Sequence, residues 1–290
     1  MNQKCNTNNV DYVIYGDTDS VYIRFDSLMK VLGKDDLTGE DRVNFLDKLG
    51  RVVEEKVINP ANDDLTVYMN NYEKKMFMDR EAIALTGFFL AKKRYALNVF
   101  DMEGTRYAEP KLKIMGIETQ RSSTPALAQK GLKECIRIIL QENQSNLQTY
   151  VTTFKRDWMK AEYHDVSYVS SANNLAKNQD AAGHPIKGCP GHIKGVLAFN
   201  RLAKLNGFDA IQEGEKVALV KLKEPNKFSA SVLAYPSGSE LPEGIDPLYV
   251  KSTIDYTLLY EDKFKSPLVA ICNAIKWDYE KSFSLSSFFG

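Results

Sequence analysis

Two aspartates lie one residue apart in the segment Tyr15-Gly16-Asp17-Thr18-Asp19-Ser20. Carboxylates this close repel each other, and each resists ionisation unless a cation compensates the charge. Mg²⁺ prefers oxygen ligands and supplies that charge. Two such ions can activate an attacking hydroxyl and stabilise the leaving oxygen in phosphoryl transfer. Asp17 and Asp19 could therefore serve magnesium-dependent chemistry, but the pair alone favours a turn that only faces solvent, because Asp and Gly are common in such turns.

Two apolar segments flank this pair and predict the scaffold that holds it. Residues 12–15 and 21–25 are rich in β-branched and aromatic side chains, and the residues between them favour a turn. The sequence therefore predicts a β-hairpin with carboxylates at its tip.

Spacing and turn residues predict the remaining elements. Helices are expected over residues 41–58, ending before Asn59-Pro60, and over about 122–142, 145–162 and 268–281. Ser122, Ser123 or Thr124 would cap the second helix, with Pro125 just inside its start. Strands are expected at residues 76–78, 95–99 and 216–220, and an irregular region with short strands beyond Gly183. A domain boundary is expected near Gly116, where the strand-rich segment ends and the predicted helices begin.

The composition is that of a soluble globular protein, with 43% hydrophobic and 26% charged residues among 290. Lys+Arg and Asp+Glu are equal at 38, but residues 92–113 and 177–204 are locally basic. The four cysteines are scattered, which fits a reducing compartment. No apolar leader or run of ~18 apolar residues is present, so neither secretion nor a membrane span is expected.

The hexapeptide at residues 15–20 resembles motif C of the family B DNA polymerases. Further segments are similar, in the same order, to the replicative polymerases of T-even-type bacteriophages: residues 78–82, 92–95, 103–107, 113–116 and 122–125. The resemblance implies an α+β fold, in which residues 1–116 form the C-terminal part of a palm domain and residues 117–290 form a largely helical thumb. It also implies a phage-encoded protein that acts in the cytoplasm of the infected bacterial host.

The resemblance assigns the carboxylates. It makes Asp19 the catalytic metal ligand and gives Asp17 a supporting role. It places Asp79 and Glu81 near the metal site on a strand beside the hairpin, where a spacing of two puts both side chains on one face. From the residues alone, Asp79 and Glu81 would be a surface charge pair.

Two basic segments are expected to bind DNA. The resemblance places Lys92-Lys93-Arg94-Tyr95 against the primer-template duplex, where Lys93 and Tyr95 would check base pairing at the minor-groove acceptors present in every correct pair. Lys92 and Arg94 would contact phosphates or stay structural. Lys194 and Arg201 would bind the duplex backbone without sequence preference. By themselves, all these cations could equally be solvated surface groups.

The C-terminal peptide carries Leu285, Phe288 and Phe289, whose spacing resembles the sliding-clamp-binding peptides of replicative polymerases. Ser282 stands where such peptides often begin with Gln, and the tail could instead pack on its own thumb. His184, Cys189 and His192 are not predicted to bind zinc, because no second close pair completes four ligands.

The sequence does not contain the second catalytic aspartate, the fingers helix or the exonuclease carboxylates that the resemblance requires. We therefore predict a DNA-directed DNA polymerase subunit or fragment that adds deoxynucleotides from dNTP to a primer 3′ end by two-metal Mg²⁺ catalysis. It would require an N-terminal polymerase chain with the exonuclease, fingers and remaining palm, and it would be inactive alone. Of a natural split gene and an engineered fragment, we favour the split gene, which would make this chain part of a split polymerase. The alternative is a non-catalytic module that binds DNA and a clamp.

Overall fold

The structure is a computed structural model that describes residues 11–281, and it divides into two compact units on either side of the Met115-Gly116 bond. Helices alternate with three antiparallel sheets, so the predicted α+β class is confirmed. The strands of the first unit are β1 (Val13–Asp17), β2 (Ser20–Ile23), β3 (Ala82–Ala91), β4 (Arg94–Met102) and β5 (Thr105–Met115). Its helices are α1 (Asp26–Val31), α2 (Gly39–Val53) and α3 (Asn59–Tyr68).

The predicted hairpin is confirmed, with β1 antiparallel to β2. Tyr15 pairs with Tyr22, and Asp17 pairs with Ser20, so only Thr18 and Asp19 form the turn. Because side chains alternate along a strand, Tyr15 and Tyr22 share one face of the hairpin. The opposite face carries Ile14 and Val21, which are 46% and 45% exposed.

The helical segment after the hairpin is longer than predicted. It does not end before Asn59-Pro60, because a π-helical turn over Glu54–Ile58 joins α2 to α3. Pro60 then lies in the first turn of α3, where the missing N–H of proline costs little.

The second sheet has the order β3-β4-β5, with both pairs antiparallel. The predicted strand at residues 95–99 is confirmed as part of β4, whose Tyr95, Leu97 and Val99 are buried in a small core. The strand predicted at residues 76–78 is wrong. These residues lie in an irregular segment between α3 and β3, and Met76 and Phe77 are exposed.

The second unit packs its helices around a three-stranded antiparallel sheet with the order β6-β7-β8. Its strands are β6 (Tyr168–Ser171), β7 (Lys216–Lys221) and β8 (Val232–Pro236). Its helices are α4 (Ala126–Gln141), α5 (Gln144–Trp158), α6 (Gly191–Asn206), α7 (Pro247–Thr253), α8 (Tyr256–Tyr260) and α9 (Ser266–Ile275). A π-helical turn, Glu261–Lys265, joins α8 to α9.

Several boundaries in this unit differ from the predictions. Pro125 is itself the N-cap of α4, and no serine or threonine side chain caps the helix. The last helix ends at Ile275 rather than near residue 281, because Lys276 adopts a left-handed conformation. Trp277 and Tyr279 therefore lie beyond α9 and pack, partly buried, against the core.

The region beyond Gly183 contains α6, a helix that the sequence prediction missed. Its buried residues include the run Val196 to Phe199, which lacks clear helical alternation, and two glycines near its start lower its helical propensity. Gly195 allows close packing against β8, because a Cβ there would lie 3.1 Å from the Val232 carbonyl oxygen. Within residues 11–281, no helix is both long enough and apolar enough to cross a membrane.

Gly131 in α4 gives a test of packing in the second unit. A Cβ at this position would lie 2.5 Å from Phe154 Cζ and 2.9 Å from Phe264 Cε2, and these two rings lie 4.3 Å apart between centroids. We expect Gly131→Ala to lower the free energy of unfolding by about 1–3 kcal/mol through overpacking, measured by urea titration. Gly191→Ala is the matched control, because its Cβ would meet open space. Equal stability of the two variants would contradict the packing.

Candidate active site

The hairpin tip presents its two aspartates differently. The Asp17 side chain is 25% exposed, and its Oδ1 accepts a hydrogen bond from the Thr18 hydroxyl at 3.3 Å. Asp19 is exposed in the turn, and no side chain among residues 11–281 forms a hydrogen bond or ion pair with its carboxylate. Asp19 is therefore the carboxylate that remains available to a ligand from outside this part of the chain.

The turn that carries Asp19 is strained. Thr18 has a φ of 49°, in the left-handed region that is unfavourable for a β-branched residue. Such strain costs on the order of 1–3 kcal/mol and persists where the surrounding structure holds it in place. Here the Asp17–Ser20 pairing and the hydrogen bond from the Ser20 hydroxyl to the Asp17 carbonyl, at 3.2 Å, close the turn.

Four aromatic rings pack together where the β1–β2 hairpin meets β3 and β4. Tyr15, Tyr22, Phe89 and Tyr95 lie 5.2–6.0 Å apart between ring centroids, in tilted and edge-to-face arrangements. Each such pair contributes about 0.5–1.5 kcal/mol beyond the burial of its surface. The sequence prediction missed this cluster. Two of its four rings could have been found from the sequence. Tyr15 and Tyr22 are equally distant from the turn, so a hairpin places them opposite each other.

The turn between β3 and β4 brings the basic segment to the same tip. It consists of Lys92 and Lys93, and Lys93 has a φ of 60°. The Lys93 backbone N–H donates to the Tyr15 hydroxyl at 2.8 Å, and its ammonium lies 3.6 Å from Asp17 Oδ1. The structure thus brings Lys93 and Asp17 together. The Lys93 side chain remains 65% exposed, so its ion pair with Asp17 contributes little stability.

Tyr95 is only 6% exposed, and its hydroxyl lies 2.7 Å from the Tyr22 hydroxyl. The direct duplex contact predicted for Tyr95 stays a prediction. Burial raises the pKa of Tyr22 above its ordinary value, and the Tyr95 hydroxyl and the charge of Glu81 raise it further. The Tyr22 phenol is therefore neutral near pH 7, and its hydroxyl contact with Tyr95 connects the β1–β2 hairpin to β4.

Tyr22→Phe tests this hydroxyl pair. The variant leaves the buried Tyr95 hydroxyl without its partner, and we expect a loss of about 1–3 kcal/mol in the free energy of unfolding near neutral pH. Because the folded pKa of Tyr22 is raised, wild-type stability is full below about pH 10 and falls as the pH rises further. The difference between the proteins should therefore shrink in alkali. Tyr72→Phe is the control, since Tyr72 is fully exposed; a constant difference from pH 8 to 11 would contradict the assignment.

Asp79 and Glu81 are not on a strand, contrary to the prediction. They lie in the irregular segment before β3, which begins at Ala82, so strand alternation does not align their side chains. Glu81 forms an ion pair with Lys113 of β5, with 2.5 Å between Oε1 and Nζ. Asp79 is exposed.

Arg80, between these two acids, belongs to a buried ionic network that sequence analysis missed. It pairs with Asp101 of β4 and, at 2.9 Å from Nε to Oδ1, with Asp47 of α2. Arg106 of β5 pairs with Asp101 at 2.8 Å, and the Gly104 N–H donates to the same carboxylate. The side chain of Asp101 is only 1% exposed. This network joins α2, the residue 79–81 segment and the β4–β5 hairpin.

The hairpin carboxylates provide suitable ligand atoms for a magnesium ion but not a complete set of ligands. Asp19 and Asp17 provide carboxylate oxygens of the type that Mg²⁺ prefers, and Asp19 is free to bind. Within residues 11–281, however, no three His, Cys, Asp or Glu side chains form a group that could hold a metal ion. Asp19, Asp79 and Glu81 are therefore not assembled into one site, and His184, Cys189 and His192 form none.

In the second unit, α6 carries Lys194 and Arg201, seven residues apart and thus on one side of the helix. Lys194 is exposed. Arg201 is half-buried, and its Nη1 has no hydrogen-bond partner in the described part of the chain. Leu285, Phe288 and Phe289 lie outside the described residues.

No family model matches the chain. Two curated proteins match it over its whole length. The chain is 47% identical to a DNA-directed DNA polymerase of Escherichia phage RB69 and 42% identical to a DNA-directed DNA polymerase of Enterobacteria phage T4. In each case it spans 33% of the relative. The resemblance to the polymerases of T-even-type phages is thus confirmed, and the chain is related along its whole length to one third of these DNA-directed DNA polymerases.

Proposed function

We propose that this chain supplies part of the active site of a phage-encoded, family B DNA-directed DNA polymerase. The observation that carries the proposal is Asp19, an exposed carboxylate at the tip of a β-hairpin, in a chain that matches phage polymerases over its whole length. The first unit would be the C-terminal part of the palm, and the second unit the thumb. The enzyme would act in the cytoplasm of the infected host.

Asp19 would bind magnesium, with Asp17 in support, once a second aspartate from the rest of the polymerase lies opposite. When bound, the metal pair would activate the primer 3′ hydroxyl and stabilise the leaving oxygens of the incoming dNTP. The aromatic cluster beneath the hairpin keeps the carboxylates in place, and the pairing of Lys93 with Asp17 reduces repulsion between the two acids. Asp79 and Glu81 would lie beside this site and join it only in the assembled enzyme.

The basic groups would position the primer-template. Lys93 is exposed next to Asp17, so its ammonium can donate to minor-groove acceptors close to the primer end. Tyr95 would check base pairing together with Lys93, and Lys92 and Arg94 would contact phosphates or stay structural. Lys194 and Arg201 on α6 would contact phosphates, and Leu285, Phe288 and Phe289 would bind a sliding clamp.

A complementation assay tests the proposal. The chain is mixed with a polypeptide that spans the two thirds of the phage RB69 polymerase that it does not match, and primer extension is followed with Mg²⁺ and all four dNTPs. We expect extension by the mixture and none by the chain alone. Duplex binding without extension would favour the alternative, a non-catalytic DNA- and clamp-binding module, which the lack of an assembled metal group within residues 11–281 also fits.

A further inference from the structure

The end of α3 and the segment that joins it to β3 expose an unusual number of large apolar side chains. Seven residues between positions 65 and 77 are at least 41% exposed: Leu65, Val67, Tyr68, Met69, Tyr72, Met76 and Phe77. Tyr68 and Tyr72 are 85% and 109% exposed. In the second unit, by contrast, exposed apolar residues such as Leu205 and Leu248 are scattered along the chain.

These seven side chains, hereafter the 65–77 surface, lie on α3 and on the segment that follows it. Asn70 adopts a left-handed conformation with a φ of 51° and ends α3, where the Asn71 N–H donates to the Thr66 carbonyl. The chain then turns back along the helix. The Lys74 ammonium lies 2.6 Å from Asp63 Oδ1 in α3 and 5.7 Å from the centre of the Phe77 ring. Phe77 is thereby held near the first turns of α3.

The chemistry of the 65–77 surface fits a protein partner. So many exposed apolar and aromatic side chains within one short segment are rare on a protein that stays alone in solution. Tyr and Phe can each bury about 150–250 Å². Around the patch, Asp63, Asp64 and Glu73 outnumber Lys74 and Lys75, so a phosphate backbone would not be favoured. An apolar centre with a mixed polar rim is the anatomy of a protein interface.

We propose that the 65–77 surface is where the remaining part of the polymerase packs against this chain. The inference rests on the proposed function. The matched third leaves two thirds of each curated relative outside the match, and that large body must lie against the first unit if it is to place an aspartate opposite Asp19. Tyr72 and Phe77 are the anchors, because they combine large rings with high exposure.

The test is a calorimetric titration of the full chain with the polypeptide that spans the unmatched two thirds of the RB69 polymerase. It measures the dissociation constant of the complex. Tyr72→Glu combined with Phe77→Glu should weaken association ~10-fold or more. The matched control combines Leu205→Glu with Leu248→Glu, which are 81% and 77% exposed in the second unit, and it should bind as wild type does. Equal affinities for the two double variants, or no association of the wild-type chain, would overturn the inference.

A photo-crosslinking residue at position 72 provides a second readout that does not depend on the folding of the double variant. A crosslink to the added polypeptide supports the inference, and a crosslink between two copies of this chain overturns it. Asp19→Asn should associate normally. The two proposals can fail separately. If the wild-type chain associates and the Tyr72/Phe77 double variant binds weakly, the interface is supported. If the wild-type mixture then extends no primer, only the proposed catalytic function fails.

Discussion

Asp19→Asn is expected to lower the rate of primer extension by the assembled polymerase ~10²–10³-fold or more while leaving the chain as stable as wild type. The activity is lost because the amide removes the charge that binds the metal, and electrostatic groups of this kind contribute most to catalysis. Stability is retained because Asp19 is exposed and makes no hydrogen bond or ion pair within residues 11–281. An exposed substitution of this type changes the free energy of unfolding by about 0.5 kcal/mol at most.

Single-nucleotide incorporation under excess enzyme measures this effect without a contribution from product release. Asp36→Asn is the matched control, since Asp36 is an exposed carboxylate in the same unit and lies between α1 and α2, outside the hairpin residues. It should extend the primer at the wild-type rate. Asp17→Asn should reduce the rate less than Asp19→Asn does. Extension by Asp19→Asn within tenfold of wild type would rule out its role as metal ligand.

Asp101→Asn is expected to cause the largest loss of stability, about 3–5 kcal/mol. The side chain is 1% exposed and pairs with both Arg80 and Arg106. The variant keeps the shape but removes the charge, so two guanidinium groups lose their buried counter-ion. Because Arg80 also connects to Asp47 of α2, loosening of the β4–β5 hairpin should release the segment that carries Asp79 and Glu81.

Urea unfolding of the wild-type and variant chains measures this loss, monitored by a probe in the first unit. Asp64→Asn, at an exposed position in α3, is the control and should change the free energy of unfolding by less than about 0.5 kcal/mol. A loss below 1 kcal/mol for Asp101→Asn would show that the ionic network does not hold the unit together. Hydrogen exchange should locate the released segment.

The sequence predicted those features that depend on neighbouring residues. The hairpin follows from alternating apolar side chains around a turn, and its carboxylate tip follows from the same six residues. The site features that were missed depend on residues far apart in the chain. Asp101 looks like a surface charge in an apolar strand until the fold brings Arg80 and Arg106 to it. The docking of Lys93 on Tyr15 joins residues 78 positions apart.

Errors in element boundaries also have physical causes. Pro60 is a helix-ending signal in the sequence, but the π-helical turn before it places the proline in the first turn of α3, where it is tolerated. Residues 76–78 have strand-forming side chains but no neighbouring strand within the described chain, and they form part of an exposed surface instead. Asp79 and Glu81 belong to the same irregular segment, which ends where β3 begins at Ala82.

This chain and the remainder of a polymerase are proposed to form one active site. The most direct test keeps the total protein concentration constant, varies the ratio of this chain to the polypeptide spanning the unmatched two thirds of the RB69 polymerase, and measures the rate of primer extension. We expect no extension at either extreme and a maximum at equimolar mixing. Extension by either component alone at the rate of the mixture, or no extension at any ratio, would contradict the proposal.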